Sequence, residues 1–161
     1  MATNDGRSWF RRLFRRAKPA PLDPTRADLV IVAFSFDDAE SASSALDRAS
    51  ASGGWNETQE TVFRHHLVLP ADAVSDAEAV ASQDDYVRVS HPTPAPEVPT
   101  SGYRADVADG VEVTLQRVQV VDALHISQER SRMAGLAQRR GGIVTGWDAL
   151  QPGEAGAGVP D

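Results

Sequence analysis

Four histidines, His65, His66, His91 and His125, are the residues of this 161-residue chain best suited to acid–base or metal chemistry. His65 and His66 are neighbours on a predicted strand, so they point to opposite faces and cannot chelate one ion together. His125 is the histidine that could approach His65 across a sheet, with a carboxylate as third ligand. No H-x-x-x-H or H-E-x-x-H spacing supports that site. The pattern fits a half-buried strand histidine beside an exposed one. Asp37-Asp38 and Asp84-Asp85 are paired carboxylates; the first pair suits a helix cap and the second a solvated turn. There is no cysteine, which excludes disulfides, thiolate zinc sites and a cysteine nucleophile. No G-x-S-x-G, P-loop or G-x-G-x-x-G motif occurs. The pairs Gly53-Gly54 and Gly141-Gly142 end helices instead of opening them, so neither cradles a phosphate. No catalytic, cofactor-binding or metal-ligating residue is assigned, and the chain reads as a binding protein and not an enzyme.

The most specific local chemistry lies near the N-terminus. Trp9, Phe10, Leu13 and Phe14 interleave with Arg11, Arg12, Arg15 and Arg16. On a helix the four apolar residues share one face and the arginines fall largely on the other. Such a segment suits an anionic membrane surface, its arginines and rings also suit RNA, and the plain alternative is a disordered, solubilising leader. Pro19, Pro21 and Pro24 then extend the chain. Arg11-Arg12-Leu13-Phe14 resembles part of a twin-arginine export signal, but the apolar stretch that must follow is replaced by Arg15-Arg16-Ala17-Lys18-Pro19. The longest apolar run, Leu29 to Phe34, is six residues, against about twenty for a membrane span. The expected location is therefore cytoplasmic, and peripheral membrane contact through the tail is the alternative.

The net charge of −7 conceals two unlike parts. Residues 1–26 sum to +5 and residues 27–161 to −12. An acidic body repels nucleic-acid phosphates and favours basic partners.

These features need a scaffold. Residues 1–27 form a basic amphipathic tail and proline-rich linker, 28–151 a folded domain, and 152–161 a disordered glycine- and proline-rich end. Leu29–Phe34 is apolar on both faces, which marks a strand that is central in its sheet or covered by a helix and a loop. Asp37 and Glu40 form a capping box before an alanine-striped helix over Ala39–Ala49. A strand from about Thr58 to Leu69 places Phe63, His65, Leu67 and Leu69 on one face. A second alanine-rich helix spans Asp72–Ser82, and Tyr86–Val89 is a short strand. Four prolines make 91–101 a surface loop. Tyr103–Val107 and Val111–Val121 read as a hairpin turning at Asp109-Gly110, with a bulge or a strand end near Gln116-Arg117, where the parity of the valines changes. Ser127 caps the last helix, and Ile143–Leu150 closes the sheet. The sum is an α+β fold, a ferredoxin-like split βαβ sandwich with an antiparallel sheet and helices on one face.

The stretch from Val111 to Leu150 resembles the RraB family, protein inhibitors of ribonuclease E. The resemblance rests on Leu136-Ala137, Gly141-Gly142 and a final strand with Gly146-Trp147. Thr145 and Asp148 depart from the family's aspartate-glycine-tryptophan-glycine pattern. The resemblance implies an acidic regulator that docks on an endoribonuclease or another basic protein, without a cofactor. Two other readings compete with it: a membrane-peripheral adaptor held by residues 9–18, and a small histidine–carboxylate metal enzyme around His65 and His125.

Overall fold

Val62, Arg64, His66 and Val68 alternate with Phe63, His65, Leu67 and Leu69, and both sets are buried. A strand buried on both faces must lie inside a sheet with a layer on each side. In the computed structural model, which describes residues 20–154, that strand is β2 (Thr61–Pro70). Its companions are β1 (Leu29–Ser35), β3 (Val87–Val89), β4 (Gly110–Gln119) and β5 (Ile143–Pro152). All pairings are antiparallel, and the order is β1-β5-β2-β4-β3. Among the described residues three α-helices join them: α1 (Ala42–Ala51), α2 (Val74–Ser82) and α3 (Ala123–Gln138). The fold is thus α+β.

Because β1 and β2 both run antiparallel to β5, they are parallel to each other with β5 between them. Likewise β4 and β5 enclose β2. Two split βαβ units therefore interleave. The second strand of each unit takes the centre, an order different from that of the expected ferredoxin-like plan.

All three helices pack on the face that carries Phe63, His65, Leu67 and Leu69. Ala42, Ala45 and Ala49 of α1 meet Phe63 and Trp147. Ala77 and Ala81 of α2 meet Leu67, Leu69 and Leu136 of α3. The alanine stripes permit close approach of helix to sheet. Opposite the helices, Leu22 packs on Leu29, Val62 and Leu150, so the linker contributes to the core.

Several expectations change in detail. Of the two readings of Leu29–Phe34, the central strand does not hold: β1 is an edge strand, covered by Leu22 at Leu29 and Ile31 and by α1 at Ala33, while Val30 stays exposed. The pairing shift between Ile31 and Ala33 leaves Val32 as a bulge. Ile31 thereby joins the Leu22 layer and Ala33 the helix layer. Hydropathy reports this covering but not which strand edge is hydrogen-bonded. The capping box at Asp37 does not form: Ser41 is the N-cap of α1, accepting from the Ser44 N–H at 3.1 Å, while Asp37 accepts from Ala39 in a preceding turn. Asp122, not Ser127, caps α3, accepting from the His125 N–H at 2.7 Å. Residues 101–106 form a 3-10 turn instead of a hairpin strand. No bulge occurs at Gln116-Arg117, since β4 pairs with β2 without interruption from Gly110 to Gln119. Val118 simply faces the Leu22 layer. The closing strand continues to Pro152, and the Gly153 N–H donates to the Asp28 carbonyl at 2.8 Å.

Candidate functional site

The strand that carries the glycine-tryptophan signature lies beside β2. His65 pairs with Trp147 and His66 with Gly146, and the next pairing, Leu67 with Val144, leaves Thr145 as a bulge. The Thr145 hydroxyl donates to the His66 carbonyl at 3.1 Å. Trp147 faces the helices beside Phe63, ring centroids 5.7 Å apart. Gly146 faces the other way, where a Cβ would overlap the Phe36 ring and the Ser35 carbonyl. Phe36 in turn stacks on His66 at 5.6 Å. Gly146→Ala should therefore displace Phe36 and cost about 1–3 kcal/mol, read as a shift of the urea midpoint at constant slope. Gly141 turns left-handed at φ +73°. A Cβ on Gly142 would lie 2.5 Å from the Val68 carbonyl. The four signature positions thus have structural work within the sheet.

On the same face as Gly146 lies a buried charged network. Arg64 Nε and Nη2 donate to the two oxygens of Asp148 at 2.5 and 2.6 Å. Arg64 Nη1 donates to the Pro94 carbonyl at 2.8 Å, which ties the proline-rich loop to the sheet. His66 Nε2 donates to Asp148 at 2.8 Å, and its Nδ1 lies 3.0 Å from the Thr114 hydroxyl. Arg64 is 1% exposed and Asp148 0%. Burial raises the Asp148 carboxyl, but the bonds and charges of His66 and Arg64 outweigh it and hold the group below its ordinary value. Thr114, His66 and Asp148 have the order of a hydroxyl–imidazole–carboxylate relay. Their surroundings are those of a structural clamp. Arg64 occupies both carboxylate oxygens, Thr114 is buried, and these side chains line neither the cavity of about 260 Å³ beside α3 nor the groove of about 1620 Å³.

A second network lies under the helices. The Tyr86 hydroxyl donates to Glu129 at 2.7 Å and lies 3.3 Å from His65 Nε2. Arg132 and Arg117 approach Glu129 at 3.2 and 3.7 Å, and the Arg117 guanidinium sits 4.8 Å from the Tyr86 ring centroid. Burial, followed by the Glu129 carboxylate, pushes the Tyr86 phenol above its ordinary value. Burial also pushes His65 down to about 3. Far from half-buried beside an exposed neighbour, both strand histidines are fully enclosed, because each face of β2 has its own covering layer.

His65 gives a pH prediction with a definite sign. The unfolded chain binds a proton near pH 6.5, and the folded chain does so only near pH 3. Stability is therefore full above pH 6.5 and falls as pH drops below it, by up to about 1.4 kcal/mol per unit. His65→Phe should flatten urea stability between pH 6.5 and 4.5. An undiminished slope in that variant would assign the effect to other groups.

The open chemistry lies elsewhere. A groove of about 1620 Å³ runs between the linker, the loop after α1 and the end of β5. Its walls carry the carboxylates of Asp23, Glu57, Glu60 and Glu154, with Trp55 and Val30 among its apolar groups. Arg26 is the one cation among the described residues of the lining, and it is bound to Asp28 at 2.6 Å. None of the four carboxylates forms an ion pair with another described residue. Glu60 accepts the Leu22 N–H at 2.6 Å, which fixes the linker along one wall.

No family model, curated protein or solved structure matches the chain. His65 and His125 are not joined in a metal site: His65 is enclosed, whereas His125 is exposed and sits 2.8 Å from its capping Asp122. Among the described residues no group of three or more histidines and carboxylates could hold a metal ion. His91 lies in the exposed loop, and Asp84-Asp85 occupy the expected turn, with Asp85 at φ 64°. The contact candidates Trp9, Phe10, Arg11, Arg12, Leu13, Phe14, Arg15 and Arg16 lie outside the described residues. No helix among the described residues is long and apolar enough to cross a membrane. Sequence reasoning missed Arg64 and Asp148. Their signal was a charge set inside an apolar strand, where only a partnered charge is tolerated.

Proposed function

We propose that this chain is a non-catalytic regulatory binding module of the RraB type. Its acidic groove receives an arginine-rich segment of a protein partner, an endoribonuclease in the first instance. The observation that carries this reading is the charge of the groove: four carboxylates without an ion-pair partner among the described residues, and one cation already bound to Asp28. Arginine forks suit carboxylates, and the Trp55 ring offers a face for a guanidinium. The body's net charge of −12 adds attraction at long range and competes with RNA for the same basic surface. The family part of this reading rests on the residues Gly141-Gly142 and Gly146-Trp147, since the strand order differs from the ferredoxin-like plan that the resemblance implies.

The test is RNA cleavage by purified ribonuclease E with increasing amounts of this protein. The expected result is a dose-dependent change in cleavage rate that fades as salt is raised. Cleavage that stays constant at a large excess of the protein, in low salt, would overturn the RraB-type reading.

A further inference from the structure

The groove has a candidate occupant within the same chain. Ala20, Pro21 and Leu22 form part of its wall, so Lys18 is two residues from its edge. Residues 7–18 carry six cations, Arg7, Arg11, Arg12, Arg15, Arg16 and Lys18, and no acidic residue. We infer that residues 7–18 occupy the acidic groove of their own domain in the absence of a partner, so that a basic partner binds by displacing them. This inference rests on reading the groove as a receiver of arginine-rich segments.

Three observations converge on that occupant. The first is charge: residues 7–18 carry six cations, and the described groove wall carries four carboxylates and one neutralised arginine. The second is apolar surface. Val30 is 45% exposed and Val120 49%, two of the five large apolar side chains left open on the described surface, and both line the groove with Trp55. Trp9, Phe10, Leu13 and Phe14 supply the complementary apolar groups. The third is the tether. Twelve residues span up to about 40 Å when extended, and a short linker gives an effective concentration on the order of 1 mM. An intrinsic Kd of about 100 µM then suffices for roughly 90% occupancy. The exchange is graded, because a partner must exceed both the affinity and the local concentration of the tail.

The protein has no cysteine, so Ser8→Cys provides one site for a nitroxide label. Amide broadening in the isotope-labelled full chain then locates the tail. At low salt, residues 54–60 and 151–154 should lose at least half their signal intensity, and residues near the Asp122 end of α3 should not. Glu57→Lys with Glu60→Lys should remove the broadening, as should 0.5 M salt. Dispersed amide spectra establish that this variant is folded. A second variant, Arg11, Arg12, Arg15 and Arg16 all to Glu, tests the tail side without touching the domain. Absent or uniform broadening, or broadening that survives both charge reversals, would overturn the inference. So would equal broadening between isotope-labelled and spin-labelled molecules in a mixed sample, which assigns the contact to a second copy. Saturable binding of an added nona-arginine peptide without tail broadening removes self-occupancy and leaves the groove's function standing. Failure of both experiments removes the groove reading as well.

Discussion

Replacing Asp148 by alanine is expected to lower the unfolding free energy by about 3–5 kcal/mol. The substitution removes the acceptor for two Arg64 bonds and one His66 bond. It leaves a guanidinium buried without a counter-ion, and that exposure of an unpaired charge to a low-dielectric interior is the main cost. A domain of this size has only about 5–15 kcal/mol in total, so a large part of its stability is at stake. Arg64→Met combined with Asp148→Leu should lose far less, because no unpaired charge remains. Urea unfolding of the two chains measures the contrast. A loss below about 1 kcal/mol in Asp148→Ala would show that the network is solvated and that its burial is not enforced. The network also carries a pH dependence of defined sign. Asp148 is held below its ordinary carboxylate value, so its contribution is present above about pH 4 and disappears as pH falls through the folded value.

Trp147→Ala is the second large loss, about 3–5 kcal/mol. The indole is 1% exposed and packs among Phe63, Ile126, Val121 and the alanines of α1. Those alanines have no longer side chain with which to collapse into the space, so the cavity persists and its cost is not relieved. Trp147→Phe keeps much of the volume and should lose less than half as much, the more so because the indole Nε1 has no protein acceptor among the described residues. Equal losses in the two variants would mean that the sheet and helix close over the site after all. Together with Gly146 and Asp148, Trp147 makes three successive residues of β5 serve three separate contacts: Phe36 over His66, the helix layer, and the Arg64 clamp.

Much of this was legible in the sequence. The two-residue period of β2, the alanine stripes and the glycine pairs located β2 and the helices to within a few residues, because burial writes its period directly into residue type, whereas the strand expected at Tyr103–Val107 is a 3-10 turn. What the sequence concealed was pairing. Leu29–Phe34 is apolar on both faces because Leu22 covers one of them, and hydropathy cannot distinguish that cover from a neighbouring strand. The two bulges, at Val32 and Thr145, are set by register between distant strands and have no local marker. Arg64 and Asp148 are separated by 84 positions. Each was visible as a charge in an apolar strand, but their meeting depends on β5 lying beside β2. The groove was less legible still. It is assembled from the linker, the loop after α1 and the end of β5, and only the acidic sum of the body indicated that such a surface exists.

The groove itself is tested most directly by titrating a fluorescent nona-arginine peptide with the full chain and reading its anisotropy. Saturable binding that weakens as salt rises is the expected result. Affinity should fall at least tenfold when Glu57, Glu60 and Glu154 are changed to lysine in a chain that keeps its dispersed amide spectrum, and should rise when the four tail arginines are reversed. Absence of saturable binding, or the same affinity in the wall variant as in the native chain, would contradict an acidic groove built to receive a basic partner.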